Sequence, residues 1–230
     1  MTAGLRELKK QQTRQAISDT ATRLFLERGF EAVTIAEIAA AAQVAKMTVT
    51  NYFPRKEDLA LDYHEPFTAA LAHTVADRPE GESALAALRR EYLAAVGRHD
   101  PAVGFTGPEF ARMIADSPAL TARLRELHDQ REDALADVLA ADVLGADVLA
   151  ADSAADPAAD PAADPAADPG DLTPRAVAAL LTAVHRTLFQ QVLDLTRTGR
   201  TNEEIATAAT RSAHQVFGLL EASLGDYAVR

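Results

Sequence analysis

An all-α fold follows from three features of this 230-residue sequence. Alanine is abundant, while aromatic residues make up only 5% and β-branched runs are few, a balance that favours helix over strand. Apolar residues recur at intervals of three and four through most of the chain, the period of a helix with one buried face. Helix start and stop signals flank these stretches: Gly after a basic residue, Thr or Ser ahead of carboxylates or proline. The length suits one large domain or two modest ones, and 48% apolar residues suffice for a core.

The first helix is expected over 13–28, with Ile17, Ala21, Leu24 and Phe25 on one face. Gly29 then suits a left-handed cap, with Phe30 just beyond it. Thr34 to Glu37 reads as a capping box opening a second helix through Ala42 that buries Ile35, Ile38 and Ala39. A tight connection at Gln43–Val44 leads into a third short helix that Pro54 closes. Residues 56–76 read as one long helix bent at Pro66, which has no amide hydrogen to give an interior position. Residues 83–98 place Leu85, Leu88, Tyr92 and Val96 on one stripe. Ser117–Pro118 and Thr173–Pro174 each pair a cap with a proline in the first turn. The helix after Thr173 carries Val177, Leu181, Val184, Leu188, Val192 and Leu195. The last helix opens near Thr201, with Glu203 and Glu204 favouring its dipole, and Gly225 ends it.

Residues 140–171 stand apart. A five-residue unit, Ala-Asp-Val-Leu followed by Ala or Gly, turns each apolar pair about 140° from the last, and proline then recurs every fourth residue. The expectation is a disordered, expanded loop.

Charge divides unevenly. Residues 1–60 hold 9 Lys or Arg against 7 Asp or Glu, although the whole chain carries a net charge of −11. All four lysines lie in that segment, and nine acidic residues from Asp137 to Asp171 have no basic residue among them. The bulk acidity therefore does not argue against a polyanion-binding N-terminal end. The absence of cysteine excludes disulfides, thiol nucleophiles and thiolate metal sites, and fits a cytoplasmic setting. Neither a signal peptide nor a membrane-spanning run of about 20 apolar residues is expected.

Short helix, tight turn, short helix is the geometry that lets the second helix enter the major groove of DNA. With Val44, Val49 and Phe53 as anchors, Lys46, Met47, Thr48, Thr50 and Asn51 project outward, as hydrogen-bonding and methyl-contacting groups suited to base edges and phosphates. Tyr52, Lys56 at the next helix start, and Thr34 add candidate backbone contacts. The stretch TIAEIAAAAQVAKMTVTNYFPRKEDL resembles the N-terminal helix-turn-helix of TetR-type transcriptional regulators. The resemblance covers about the first 60 residues, and Thr48, Phe53 and Lys56 match its pattern. Gln43 stands where the family commonly has Gly, and Thr50 where it commonly has a phosphate-contacting Tyr.

The resemblance implies a DNA-binding domain over 1–58 and an effector-binding and dimerisation domain over 59–230. It also implies a homodimer on a palindromic operator of double-stranded DNA, a small-molecule effector, and repression as the mode of control. The final two helices would then supply the dimer interface through Leu181, Leu188, Val216, Phe217 and Leu220. Phe105, Phe110, Met113 and Phe189 are the candidate lining of an apolar effector pocket. The run from Phe110 to Ala140 is similar to actinobacterial members of the family that sense acyl-CoA-like ligands.

No cofactor, metal or membrane partner is expected. The six histidines lack metal-ligand spacing, and no phosphate loop, nucleophile elbow or catalytic cysteine occurs. Two alternatives stay open: an architectural DNA binder without effector, and a helical small-molecule-binding protein or enzyme.

Overall fold

The computed structural model describes residues 2–153 and 171–229. They form ten α-helices: α1 (Thr2–Arg28), α2 (Ile35–Ala41), α3 (Lys46–Tyr52), α4 (Lys56–Ala60), α5 (His64–Ala76), α6 (Ala84–Gly97), α7 (Pro108–Asp116), α8 (Pro118–Ser153), α9 (Thr173–Arg197) and α10 (Asn202–Leu224). A 3₁₀ turn, Pro101–Val103, joins α6 to α7.

Two apolar clusters organise these helices. The first gathers Ile17, Phe25, Phe30, Ile38, Val49, Phe53 and Leu59 from α1–α4 with Phe67, Ala111, Ile114, Leu120, Leu127, Phe189 and Leu193 from later helices. The second joins Leu71, Leu88, Tyr92, Leu135, Leu181, Leu188, Val192, Ala209 and Phe217 from α5, α6, α8, α9 and α10. Packing of α5 on α8 and of α8 on α9 forms the spine of the larger part.

Local chemistry accounts for the element ends. Gly29 sits at φ 85°, and its amide closes α1 by bonding the Phe25 carbonyl at 2.8 Å. Thr34 and Glu37 form the expected reciprocal box at the start of α2, and Thr201 with Glu204 repeats it at α10. Gly104 fits only as glycine: at φ 104°, an added Cβ would lie 2.8 Å from the Phe189 carbonyl oxygen.

Four expectations need correction. α1 begins well before residue 13, because residues 5–12 (LRELKKQQ) are all good helix formers. Residues 56–76 are two helices broken at 61–63, and Pro66 lies in the first turn of α5, where no amide donor is required. The α9 start is capped by Asp171, which accepts from the Thr173 amide at 2.9 Å, while Thr173 is itself the first helical residue. Finally, α8 runs on through the Val-Leu units to Ser153, since alanine sustains a helix whether or not one face is apolar. The proline repeat lies outside the described residues, and with it most of the expected loop. Among the described helices, α9 alone is long and apolar enough to cross a bilayer, yet half of that stretch is buried within the protein.

Candidate nucleic-acid interface

The α2–α3 unit is built around a left-handed turn. Gln43 adopts φ 56°, so the non-glycine residue takes the conformation that a glycine would hold more cheaply. Hydrogen bonds from the Ala42 amide to the Ile38 carbonyl and from the Val44 amide to the Ala39 carbonyl lock the turn, at 2.8 and 3.0 Å. Val49 and Phe53 are fully buried and fasten α3 to α1 and α2. The Arg14 guanidinium lies 4.8 Å from the Phe53 ring centre and donates to the Asp62 carbonyl, tying α1 over the end of α3.

The outward side chains of α3 divide into free and engaged groups. Lys46, Met47 and Asn51 are exposed, Met47 at 70% of its full area. Thr48 and Tyr52 are half-buried, and Tyr52 packs on the first cluster. Thr50 is half-buried too, and its hydroxyl donates back to the Met47 carbonyl at 3.1 Å, so its proton is already used within the helix.

Two further expected contacts are also occupied. The Thr34 hydroxyl donates to the Glu37 carboxylate at 2.8 Å and accepts from the Glu37 amide. Arg28 pairs with the same carboxylate at 2.6 Å and, with the Thr34 amide and hydroxyl, holds Glu37 down at about 2. A phosphate at Thr34 would meet that carboxylate. Lys56 donates to the Phe30 carbonyl at 2.6 Å, with its ammonium 4.3 Å from the Phe30 ring centre, and so serves the turn after α1. Lys46, Met47 and Asn51 therefore remain as the unencumbered face.

The sequence reading passed over a second basic surface. Arg6, Lys9, Lys10 and Arg14 recur at helical spacing on α1, and the first three are exposed. That spacing was visible in the sequence, but it lay ahead of the expected helix start.

Behind this interface lies an apolar cavity of about 260 Å³. Phe105, Phe110 and Phe189 line it, together with Phe67, Leu124 and Leu127 and the whole α4–α5 connection from Leu61 to Tyr63. Met113 does not: it faces a separate groove beside Phe25 and Gly29, because α7 packs that edge on α1. A chain of ion pairs runs from the cavity wall toward α3. Arg123 on α8 binds Asp58 of α4 at 2.9 Å, with both side chains at least nine-tenths buried, and also binds Glu126 at 2.9 Å. Glu126 in turn meets Arg55 at 2.5 Å, and these two arginines hold its carboxyl below the usual range, Arg123 more strongly. Ser18 of α1 donates to the Asp62 carboxylate at 2.5 Å. Such pairs between residues 44 to 71 positions apart could not be read from one sequence.

The expected dimer residues need correction as well. Leu181, Leu188 and Phe217 are buried in the protein's own second cluster and offer no surface, whereas Val216 and Leu220 are half-exposed. The outer faces of α9 and α10 instead present Leu180 and Leu219, at 50% and 79% exposure. No group of three His, Asp or Glu residues suited to a metal ion occurs among the described residues.

Residues 17–63 match the family model of the bacterial regulatory proteins of the tetR family. The HTH-type transcriptional regulator TcmR of Streptomyces glaucescens is 30% identical over 143 residues, which is 60% of this chain and 63% of that protein. The chain thus aligns with less than two thirds of that relative's length. Among solved structures, GusR of Salmonella enterica aligns with a TM-score of 0.51 at 19% identity, covering 93% of this chain and 95% of that one. SmeT, solved as a complex with triclosan, aligns with a TM-score of 0.51 at 17% identity, covering 94% and 93%. These two likenesses establish a shared fold.

Proposed function

We propose that this chain is a TetR-family transcriptional regulator, a dimeric repressor that leaves its operator when a small apolar or amphipathic effector binds. In this reading residues 1–58 read DNA and residues 59–230 bind the effector and dimerise. The observation that carries it is the free face of α3: Lys46, Met47 and Asn51 stand in solvent on a helix whose Val49 and Phe53 are fully buried. A helix so clamped carries its readers as a rigid unit, which base-edge recognition requires. One protomer reads one half-site, and two half-sites lie about 34 Å apart, so a second copy is needed. The exposed Leu180 and Leu219 suit α9 and α10 to a four-helix contact between copies.

The cavity suits an apolar molecule or acyl chain. Its lining contains no Lys or Arg, so a phosphorylated headgroup such as that of an acyl-CoA would have to remain outside. Filling it presses on the α4–α5 connection and on Leu124 and Leu127, one residue away from the Arg123–Asp58 and Glu126–Arg55 pairs. A coupling of about 1–3 kcal/mol changes operator occupancy 5- to 150-fold.

Fluorescence anisotropy with duplexes from the gene's own upstream region tests the reading. Lys46→Ala and Asn51→Ala are expected to weaken the preferred duplex by about 1–3 kcal/mol while leaving nonspecific binding nearly unchanged for Asn51→Ala. Equal affinity for every duplex, with the usual steep salt dependence, would favour an architectural binder instead.

A further inference from the structure

Three arginines are almost wholly buried, and they are not alike. Arg78, 2% exposed, donates to the carbonyls of Val75, Glu82 and Ala228 and meets Asp142 at 2.8 Å. Arg123, 8% exposed, has Asp58 and Glu126. Arg131 is 3% exposed and has neither hydrogen bond nor ion pair among the described residues; its Nε is without a partner. Only the Phe67 ring, 4.5 Å away, faces its guanidinium.

A buried cation with no counter-ion is costly in a protein interior, and here an aromatic face stands in for only part of the water lost. Arg131 opens on a cavity of about 280 Å³ between α5, α6, α8 and α9, distinct from the apolar one. Two further polar residues with unmet bonds border the same cavity: the Tyr92 hydroxyl and both ring nitrogens of His185 are buried without a hydrogen-bond partner. Leu71, Leu88, Ala95 and Val103 form an apolar part of the wall, with Thr74 and Arg98 beside it. The acidic residues that border it, Glu91 and Asp100, are both tied to Arg98, at 2.8 and 3.6 Å.

We infer that this second cavity is a binding site for a small organic acid, whose carboxylate lies on the Arg131 guanidinium and accepts from the Tyr92 hydroxyl and a His185 N–H. A carboxylate is the group that answers every unmet donor at once. It brings the missing negative charge, accepts two parallel bonds from the planar guanidinium, and has lone pairs left for two neutral donors. Burial first, and the Arg131 charge second, keep His185 neutral, so one of its nitrogens carries a proton to donate. The apolar wall fits a short alkyl or single aromatic body. The inference rests on neither the operator nor the apolar cavity.

Calorimetric titration of the purified full chain with benzoate and hexanoate, and with benzamide and hexanamide as uncharged counterparts, tests it. Wild type is expected to bind at least one acid and to prefer it to its amide. Arg131→Met should weaken that acid about ten- to a hundredfold and leave the amides unchanged. Without any acid present, Arg131→Met should also melt higher than wild type, and saturating acid should narrow the difference. Should the variant fail to fold, the side-chain Nε–H resonance of Arg131 in wild type should move on titration with the acid and stay still with the amide. Failure of both acids to bind wild type overturns the proposal, as does equal binding of acid and amide or unchanged acid affinity in Arg131→Met. None of these readouts involves DNA, so they leave the repressor reading untouched.

Discussion

The core beneath α1–α4 and the core between α5 and α10 are made of the same apolar residue types but are finished differently. In the first, Ile17, Phe25, Val49, Phe53 and Leu59 close on one another, and polar groups at the rim are matched: Thr34 with Glu37, Lys56 with Phe30, Ser18 with Asp62. Every described side-chain atom that is buried without a hydrogen-bond partner lies from Tyr92 onward, on α6, α8, α9 or the C-terminal segment. A part that must hold side chains at fixed positions against a groove gains from complete satisfaction and dense packing. If the second part recognises a small molecule, as proposed, it needs space and unmet bonds and accepts the accompanying loss of stability.

Perturbing each side in turn probes that contrast. Phe53→Ala is expected to have the largest effect, about 3–5 kcal/mol in urea denaturation, because the site is dry and fully enclosed. A loss under about 1 kcal/mol would mean that the first core is as loosely finished as the second.

Acid next probes the seam where α8 meets the first cluster, to which Phe67 and Phe189 belong. His128 is wedged between Phe67 and Phe189, with ring centres 5.1 and 5.3 Å away. Burial above all, then the charges of Arg131 and Arg186, lowers it from 6.5 to about 4. The unfolded chain takes up that proton first as pH falls. Stability is therefore complete above about pH 6.5 and declines between 6.5 and 4, by up to about 3 kcal/mol. The Glu37 carboxylate in the first region, held low at about 2, is lost only below 4.5. Denaturation midpoints recorded from pH 7 to 4 should fall, and His128→Leu should remove part of that fall. A flat profile in wild type would erase the distinction.

The smallest expected effect is also local. Thr34→Ala removes the α2 cap and should cost about 1 kcal/mol. Thr34→Asn, which retains a cap, should recover most of it. DNA affinity that drops for Thr34→Asn as much as for Thr34→Ala would return Thr34 to the interface.

Sequence periodicity and capping chemistry made the helical fold and the α2–turn–α3 unit legible, because both depend on residues three to nine apart. Lys46, Met47 and Asn51 were identifiable as outward-facing for the same reason. Which hydroxyls and cations were already engaged was not, since Lys56 reaches a carbonyl 26 residues away and Arg123 a carboxylate 65 residues away. The two stripes of α9 and α10 could be assigned to burial but not to a particular partner: Leu181 and Phe217 have the periodicity of an interface, yet they meet their own chain. Arg131 looked like one more charge on a leucine-rich helix. Its burial without a counter-ion, against the Phe67 ring, marks it out.

One helix, α8, carries Leu124 and Leu127 on its cavity side and Arg123 and Glu126 on the side that pairs with Asp58 of α4 and with Arg55. Under the proposed function, contact with the effector and its transmission would therefore fall on separate stripes of one element. A substitution on the cavity-facing stripe would then alter what is bound while the adjoining stripe keeps its ion pairs.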